Sequence, residues 1–205
     1  MRTFCRLCDA LSGQFAENGI RRSDTILFRT SNFVVLPAIG PLVAGHAMIV
    51  SRKHVPSLAG MDLEAIREYA DLTRMLRSLP LIKDGILEAE HGGTTDDNGG
   101  GCIAHTHVNI LPGLGNLVDL FTPILPLITT LQEISEIRAV KEPYIFLCAE
   151  SKSGSAFLAR GLPSQFIRRT LAAHLGLTGW DWRTVPNPDV IEKTINLWES
   201  ALANA

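Results

Sequence analysis

The sequence predicts an α+β fold: a mostly antiparallel sheet with helices packed on it, and a C-terminal helical extension. Three observations predict it. Short apolar runs bounded by Gly, Pro, Ser and Asn recur between residues 25 and 111, which is the texture of strands and turns. One long segment, residues 61–79, repeats its apolar side chains at helical spacing. Two further helix-like segments close the chain.

Residues 25–29 and 33–36 read as short strands joined by a turn at Ser31-Asn32. Gly40-Pro41 and Gly45 bracket a loop, and residues 47–51 form a third strand. In residues 61–79 apolar side chains fall at 63, 66, 69, 72, 75, 76 and 79, with Asp62 as N-cap and Pro80 as the stop. Residues 86–90 are a strand. A polar, glycine-rich loop over 92–101 leads into His105-Thr106-His107-Val108-Asn109-Ile110-Leu111, whose two-residue alternation puts His105, His107 and Asn109 on one face. Beyond a soft boundary near residue 115 the pattern predicts a helix within 120–135 after Pro126, then a hairpin of 144–149 with 155–159. A helix over 163–175 opens at Pro163 or Ser164 and closes at Gly176, and a last helix covers 189–202. The chain thus divides into a core, 1–115, and an extension, 116–205, packed on it.

Composition narrows the function. The 205 residues carry a formal charge of −2, with 46% apolar and 20% charged side chains, an ordinary globular mixture. Such a balance provides no basic face for a nucleic-acid backbone. The apolar stretch 117–131 is broken by Asp119, Pro123 and Pro126 and falls short of the roughly 20 residues that cross a bilayer. No long apolar run follows Met1-Arg2-Thr3-Phe4, so the expectation is a soluble, cytoplasmic protein. In that compartment Cys5-x-x-Cys8 reads as a pair of metal ligands or a redox pair. Cys148 reads as core and His174 as a surface or capping residue.

Three polar side chains alternating with Val and Ile call for hydrogen bonds or a metal if buried, or for a solvated strand face. Imidazole serves as a metal ligand and as a nucleophile or base near neutral pH. At a strand rise of roughly 3.3 Å per residue, successive histidines on one face stand about 7 Å apart, so one strand can do both jobs.

The segment Gly101-Cys102-Ile103-Ala104-His105-Thr106-His107-Val108-Asn109-Ile110-Leu111-Pro112 resembles the signature strand of the histidine triad (HIT) superfamily of nucleotidyl hydrolases and transferases. Upstream, Gly45-His46 with Lys53-His54 is similar to that superfamily's Gly-His strand and the basic residue and histidine after it. Glu90-His91-Gly92 matches its polar segment before the signature. The resemblance covers residues 5–112. It implies a structural zinc held by Cys5, Cys8, His54 and His105, with His91 the competing fourth ligand, a closed two-sulfur, two-nitrogen set. It implies that His107 attacks an α-phosphorus and carries the nucleotidyl group covalently, while the loop at Gly101 and Cys102 lets backbone N–H groups approach phosphate oxygens. It also implies a nucleotide or nucleotidyl small molecule as substrate and a possible homodimer.

Two departures bear on chemistry. Asn109 stands where hydrolytic members carry a third His and the transferase branch carries Gln; an amide donates to a phosphoryl oxygen but shuttles no proton. That favours transfer or phosphorolysis, or a hydrolase whose leaving-group acid lies elsewhere. Residues 36–44 lack the acidic residue that binds ribose hydroxyls in many members, and Glu90 is the candidate replacement. Both departures also support a catalytically degenerate, nucleotide- or partner-binding module. In the extension, similar to that of larger bacterial HIT-like proteins, Gln165, Arg168 and Arg169 at a helix start are candidates for holding phosphate, or form a solvated basic face. His46 lies near His107 by the same resemblance, or is structural.

Overall fold

The structure is a computed structural model that describes residues 5–12, 22–93, 103–149 and 153–204. Eight strands form one sheet: β1 (Phe28–Arg29), β2 (Phe33–Pro37), β3 (Ala47–Ser51), β4 (Ile86–Gly92), β5 (His107–Pro112), β6 (Leu127–Leu131), β7 (Tyr144–Cys148) and β8 (Gly154–Leu158). Their order is β1-β2-β3-β5-β4-β7-β8-β6, and every pairing is antiparallel. Every residue of β2, β3, β4 and β7 is buried, because both faces of the central sheet are covered. The fold is α+β. The sheet runs across residue 115, and the second half contributes three strands as well as helices.

The helix α2 (Leu63–Arg77) starts where Asp62 accepts a hydrogen bond from the Ala65 N–H at 2.8 Å. It buries Ala65, Ile66, Tyr69, Leu72 and Leu76 against Phe33, Val35, Ile49, Val108 and Ile110 on one sheet face. The opposite face carries two apolar clusters. Leu7 of α1 (Arg6–Ser12) packs with Val34, Leu36, Met48 and Val50; Leu87, Ala89, Leu111, Ile145 and Leu147 pack under Ile167, Leu171 and Ala172 of α3 (Phe166–His174). Register places His107 opposite Val50, and Asn109 opposite Met48 on one side and Ala89 on the other. Directly opposed residues share a face, so the polar pair of β5 sits in the gap between the two clusters.

The helix α4 (Pro188–Ala203) fixes the turn before β3. Trp198 donates through Nε1 to the Gly45 carbonyl at 2.9 Å, and Thr194 Oγ1 accepts from the Gly45 N–H at 3.0 Å. Gly45 itself has φ +85°, a left-handed conformation that favours glycine. None of the described helices is long and apolar enough to cross a membrane.

Several expectations are corrected. The helix expected within 120–135 is instead the tail of a 3₁₀ turn, Gly115–Leu120, then strand β6 and the start of a second 3₁₀ turn, Ile134–Ala139. The β-branched Ile128, Thr129 and Thr130 favour extended backbone, and antiparallel pairing with β8 satisfies it. The strand at 25–29 shortens to β1. β5 begins at His107, with His105 in the bend before it. α3 begins at Phe166, two or three residues later than expected, because Gln165 takes a left-handed conformation at φ +60°.

Candidate functional site

Cys5 immediately precedes α1 and Cys8 lies three residues on, so one helical turn brings both sulfurs to the same side. Cys5 Sγ lies 3.3 Å from His105 Nδ1, and Cys8 Sγ lies 3.3 Å from His54 Nδ1 and 3.4 Å from His105 Nδ1. The four ligand atoms all fall within 4.8 Å of one another. His105 Nε2 donates to the Ser51 carbonyl at 2.7 Å, which turns the Nδ1 lone pair toward the sulfurs. Burial lowers the His105 pKa to about 4, and burial followed by the adjacent Cys5 raises the Cys8 thiol to about 11. A neutral imidazole is ready to ligate, and the raised Cys8 thiol becomes favourable as a thiolate only beside a cation. The donor set therefore suits a metal ion with a closed, tetrahedral preference. His91 is not part of it.

Between the two apolar clusters lies a cavity. Its sheet side is formed by Met48, His91, His107 and Asn109, and its other wall by Gln165 to Arg168 at the start of α3 together with Trp182; Leu7, Ile39 and Ile103 complete it. His107 Nδ1 donates to the His105 carbonyl at 2.7 Å, and burial holds its pKa below the usual histidine range. Nε2 is then the unprotonated nitrogen.

Behind Asn109 stands His46, fully buried. Its Nδ1 accepts from the Leu42 N–H at 3.2 Å, so the proton sits on Nε2 and is donated to Asn109 Oδ1 at 3.0 Å. Asn109 Nδ2 in turn donates to the Ala89 carbonyl at 3.2 Å. Burial and then the Arg168 charge push the His46 pKa down to about 3, so the ring is neutral and the amide it holds has one orientation.

The remaining expected residues separate. Gln165 lines the cavity, but its amide is engaged: Nε2 donates to Asp181 Oδ1 at 2.7 Å, and Oε1 accepts from the Trp182 N–H at 3.3 Å. Glu90 does not reach the cavity. It alternates with His91 along β4 and faces α2, where its carboxyl accepts from the Tyr144 hydroxyl and from the Leu58 N–H at 3.0 Å. Arg169 does not reach it either: it is exposed, with its guanidinium 5.0 Å above the Trp180 ring outside the site, and its neighbour Arg168 points inward instead. Gly101 and Cys102 lie outside the described residues. The orienting of Asn109 by His46 and the wall formed by Trp182 were not foreseen; the Gly45-His46 motif was the available signal for the first.

No protein-family model matches the chain, and no curated protein matches it. Comparison with solved structures gives relatives by shape. The chain is similar in structure to histidine triad proteins. One, described as a HIT-like protein, aligns over 54% of this chain and 99% of its own, at 17% identity and a TM-score of 0.43. A HIT family hydrolase from Legionella pneumophila aligns over 54% and 93%, at 19% identity and a TM-score of 0.40. A zinc-bound histidine triad family protein from Mycobacterium smegmatis aligns over 53% and 73%, at 19% identity and a TM-score of 0.36.

Proposed function

We propose that the protein is a nucleotidyl transferase or hydrolase in which His107 carries the nucleotidyl group between two displacements. The observation that carries this reading is the commitment of His107 Nδ1–H to the His105 carbonyl. It leaves Nε2 with its lone pair in a cavity that also presents Asn109 and Arg168. In the first displacement Nε2 attacks the α-phosphorus, a P–N bond forms, and the P–O bond to the leaving group breaks with its electron pair on oxygen. In the second, water or another acceptor attacks phosphorus, the P–N electrons return to Nε2, and the acceptor's proton passes to solvent. One Asn109 N–H is held by the Ala89 carbonyl and the other donates to a phosphoryl oxygen; the amide supplies no proton.

Cys5, Cys8, His54 and His105 would hold zinc, which when bound supplies a closed structural site. Its place in the chemistry is indirect: His105 is both a ligand and the residue whose carbonyl orients His107. A nucleotide made chiral at the α-phosphorus tests the two-step course. Two displacements give net retention, and His107→Ala loses turnover by at least about 1000-fold. Net inversion, or an active His107→Ala variant, refutes the proposal.

A further inference from the structure

β6 ends the sheet: β8 pairs with one side of it, and among the described residues no strand lies on the other. The bonds of β8 fix which groups that open side presents. The Ala159 N–H donates to the Pro143 carbonyl, just before β7, at 2.9 Å, and the Leu158 N–H donates to the Pro126 carbonyl, just before β6, at 2.8 Å. Successive residues of a strand direct their N–H and C=O groups to opposite sides, so Ser155 and Phe157 turn to β7, whereas Gly154 and Ala156 turn to β6. Their partners follow. Thr129 and Leu131 are bonded to β8, while Leu127, opposite Phe157, and Thr130, opposite Ser155, direct their backbone groups outward.

The surroundings of this edge are apolar. Leu127 is 56% exposed, Ile124 53% and Ile128 37%, three of the six large apolar side chains exposed among the described residues. Residues 120–132 contain no charged side chain. Sheet edges are ordinarily blunted by charge or brevity, and the opposite edge of this sheet has both: β1 is two residues long, and one of them is the exposed Arg29.

The spacing of the outward groups selects the partner. The register shifts between Leu127 and Thr129, so the two outward residues stand three apart. A regular strand presents its groups at every second residue and does not match that interval. The same segment turned about a twofold axis repeats it in the antiparallel sense, with Leu127 facing Thr130 and Thr130 facing Leu127. Such a pairing sets no charge against a like charge and covers the apolar side chains of both copies.

We propose that β6 is a dimer edge, at which two copies of this chain join β6 to β6 about a twofold axis between Ile128 and Thr129, making one continuous sheet. One patch then meets itself, the form that closes at two subunits. No residue of β6 lines the cavity, so each chain keeps its own site.

Sedimentation equilibrium of the full chain over about a 100-fold range of concentration should show monomer and dimer and no larger species. Ile128→Lys sets like charges beside the axis and should weaken the dimer by at least about 10-fold. Thr130→Pro removes an outward N–H and should weaken it likewise. Read where the wild type is monomeric, its melting temperature should fall less than that of Thr129→Pro, because proline is tolerated where the strand N–H faces solvent. Equal falls refute the outward direction of Thr130 and with it the pairing. Ile128→Cys and Leu63→Cys replace side chains that are both 37% exposed. Under mild oxidation the first should give a dimer whose peptides are joined at position 128, and the second should not. A monomer at every concentration, a dimer that either Ile128→Lys or Thr130→Pro leaves intact, open-ended association, or equal cross-linking of the two cysteine variants overturns the proposal.

Discussion

Glu90→Gln isolates a buried proton. Burial raises the Glu90 pKa from 4.5 to about 7, against the opposing pull of the Tyr144 hydroxyl and the Leu58 N–H. The native state therefore keeps a proton between those values that the unfolded chain releases. Stability from this group is fully present below pH 4.5, declines as pH rises, and is lost above about 7. At 1.36 kcal/mol per pKa unit, the difference amounts to about 3 kcal/mol, or about 6–12 °C in melting temperature for a chain of this size. Glu88 shifts in the same direction, whereas the lowered values of His46, His105 and His107 give stability that increases with pH. The whole-protein curve is thus a sum, and the informative quantity is the difference between wild type and Glu90→Gln. Gln retains an acceptor for Tyr144 and Leu58 but does not titrate. Thermal unfolding from pH 4.5 to 8 should show the variant gaining on the wild type up to about pH 7 and the difference levelling off above it. A pH-independent difference between the two proteins would show that Glu90 is ionised throughout and that the burial argument is wrong.

Other consequences follow from individual contacts. Removing metal with a strong chelator should lower the melting temperature and release about one zinc per chain by elemental analysis, and Cys5→Ser/Cys8→Ser should purify without it. His46→Ala removes the donor to Asn109 Oδ1 and empties a fully buried site; denaturant melts should record about 1–3 kcal/mol of destabilisation, and turnover should fall as the amide loses its fixed orientation. Trp198→Ala empties a fully buried site and frees the Gly45 carbonyl, for a loss of about 3–5 kcal/mol in the same melts. Asp62→Ala removes the cap of α2 and should lower stability by about 1 kcal/mol without altering nucleotide chemistry.

What could be read ahead of the structure follows physical lines. α2 was legible because one face is apolar at every turn and Asp62 and Pro80 mark its ends. β3 and the hairpin of β7 with β8 were legible as apolar runs between turn residues. β6 was not: as an edge strand it exposes Leu127 and Ile128, so its apolar residues keep no period, and the extended preference of Ile128, Thr129 and Thr130 is realised only by pairing with β8. The same limit applies within the site. β4 is buried on both faces, so nothing local tells which of Glu90, the candidate ribose acceptor, and His91, the competing metal ligand, faces the cavity; His91 does. Arg168 and Arg169 are adjacent on α3 and differ by about 100° around its axis; only the packing of Ile167 and Leu171 decides which turns inward. The four ligand atoms of the Cys/His cluster lie within 4.8 Å of one another although they come from three separate segments, so local pattern alone paired only Cys5 with Cys8, and the full set came from the family resemblance.

If His107 takes up the nucleotidyl group, as proposed, the mass of the protein caught during turnover records it. A single turnover with a nucleoside 5′-diphosphate, quenched in alkali to preserve a P–N bond, should yield a peptide containing His107 heavier by one nucleotidyl group. The adduct should disappear on brief acid treatment and be absent from His107→Ala. An adduct on another residue, or none at any time during demonstrated turnover, would exclude His107 as the carrier of the nucleotidyl group.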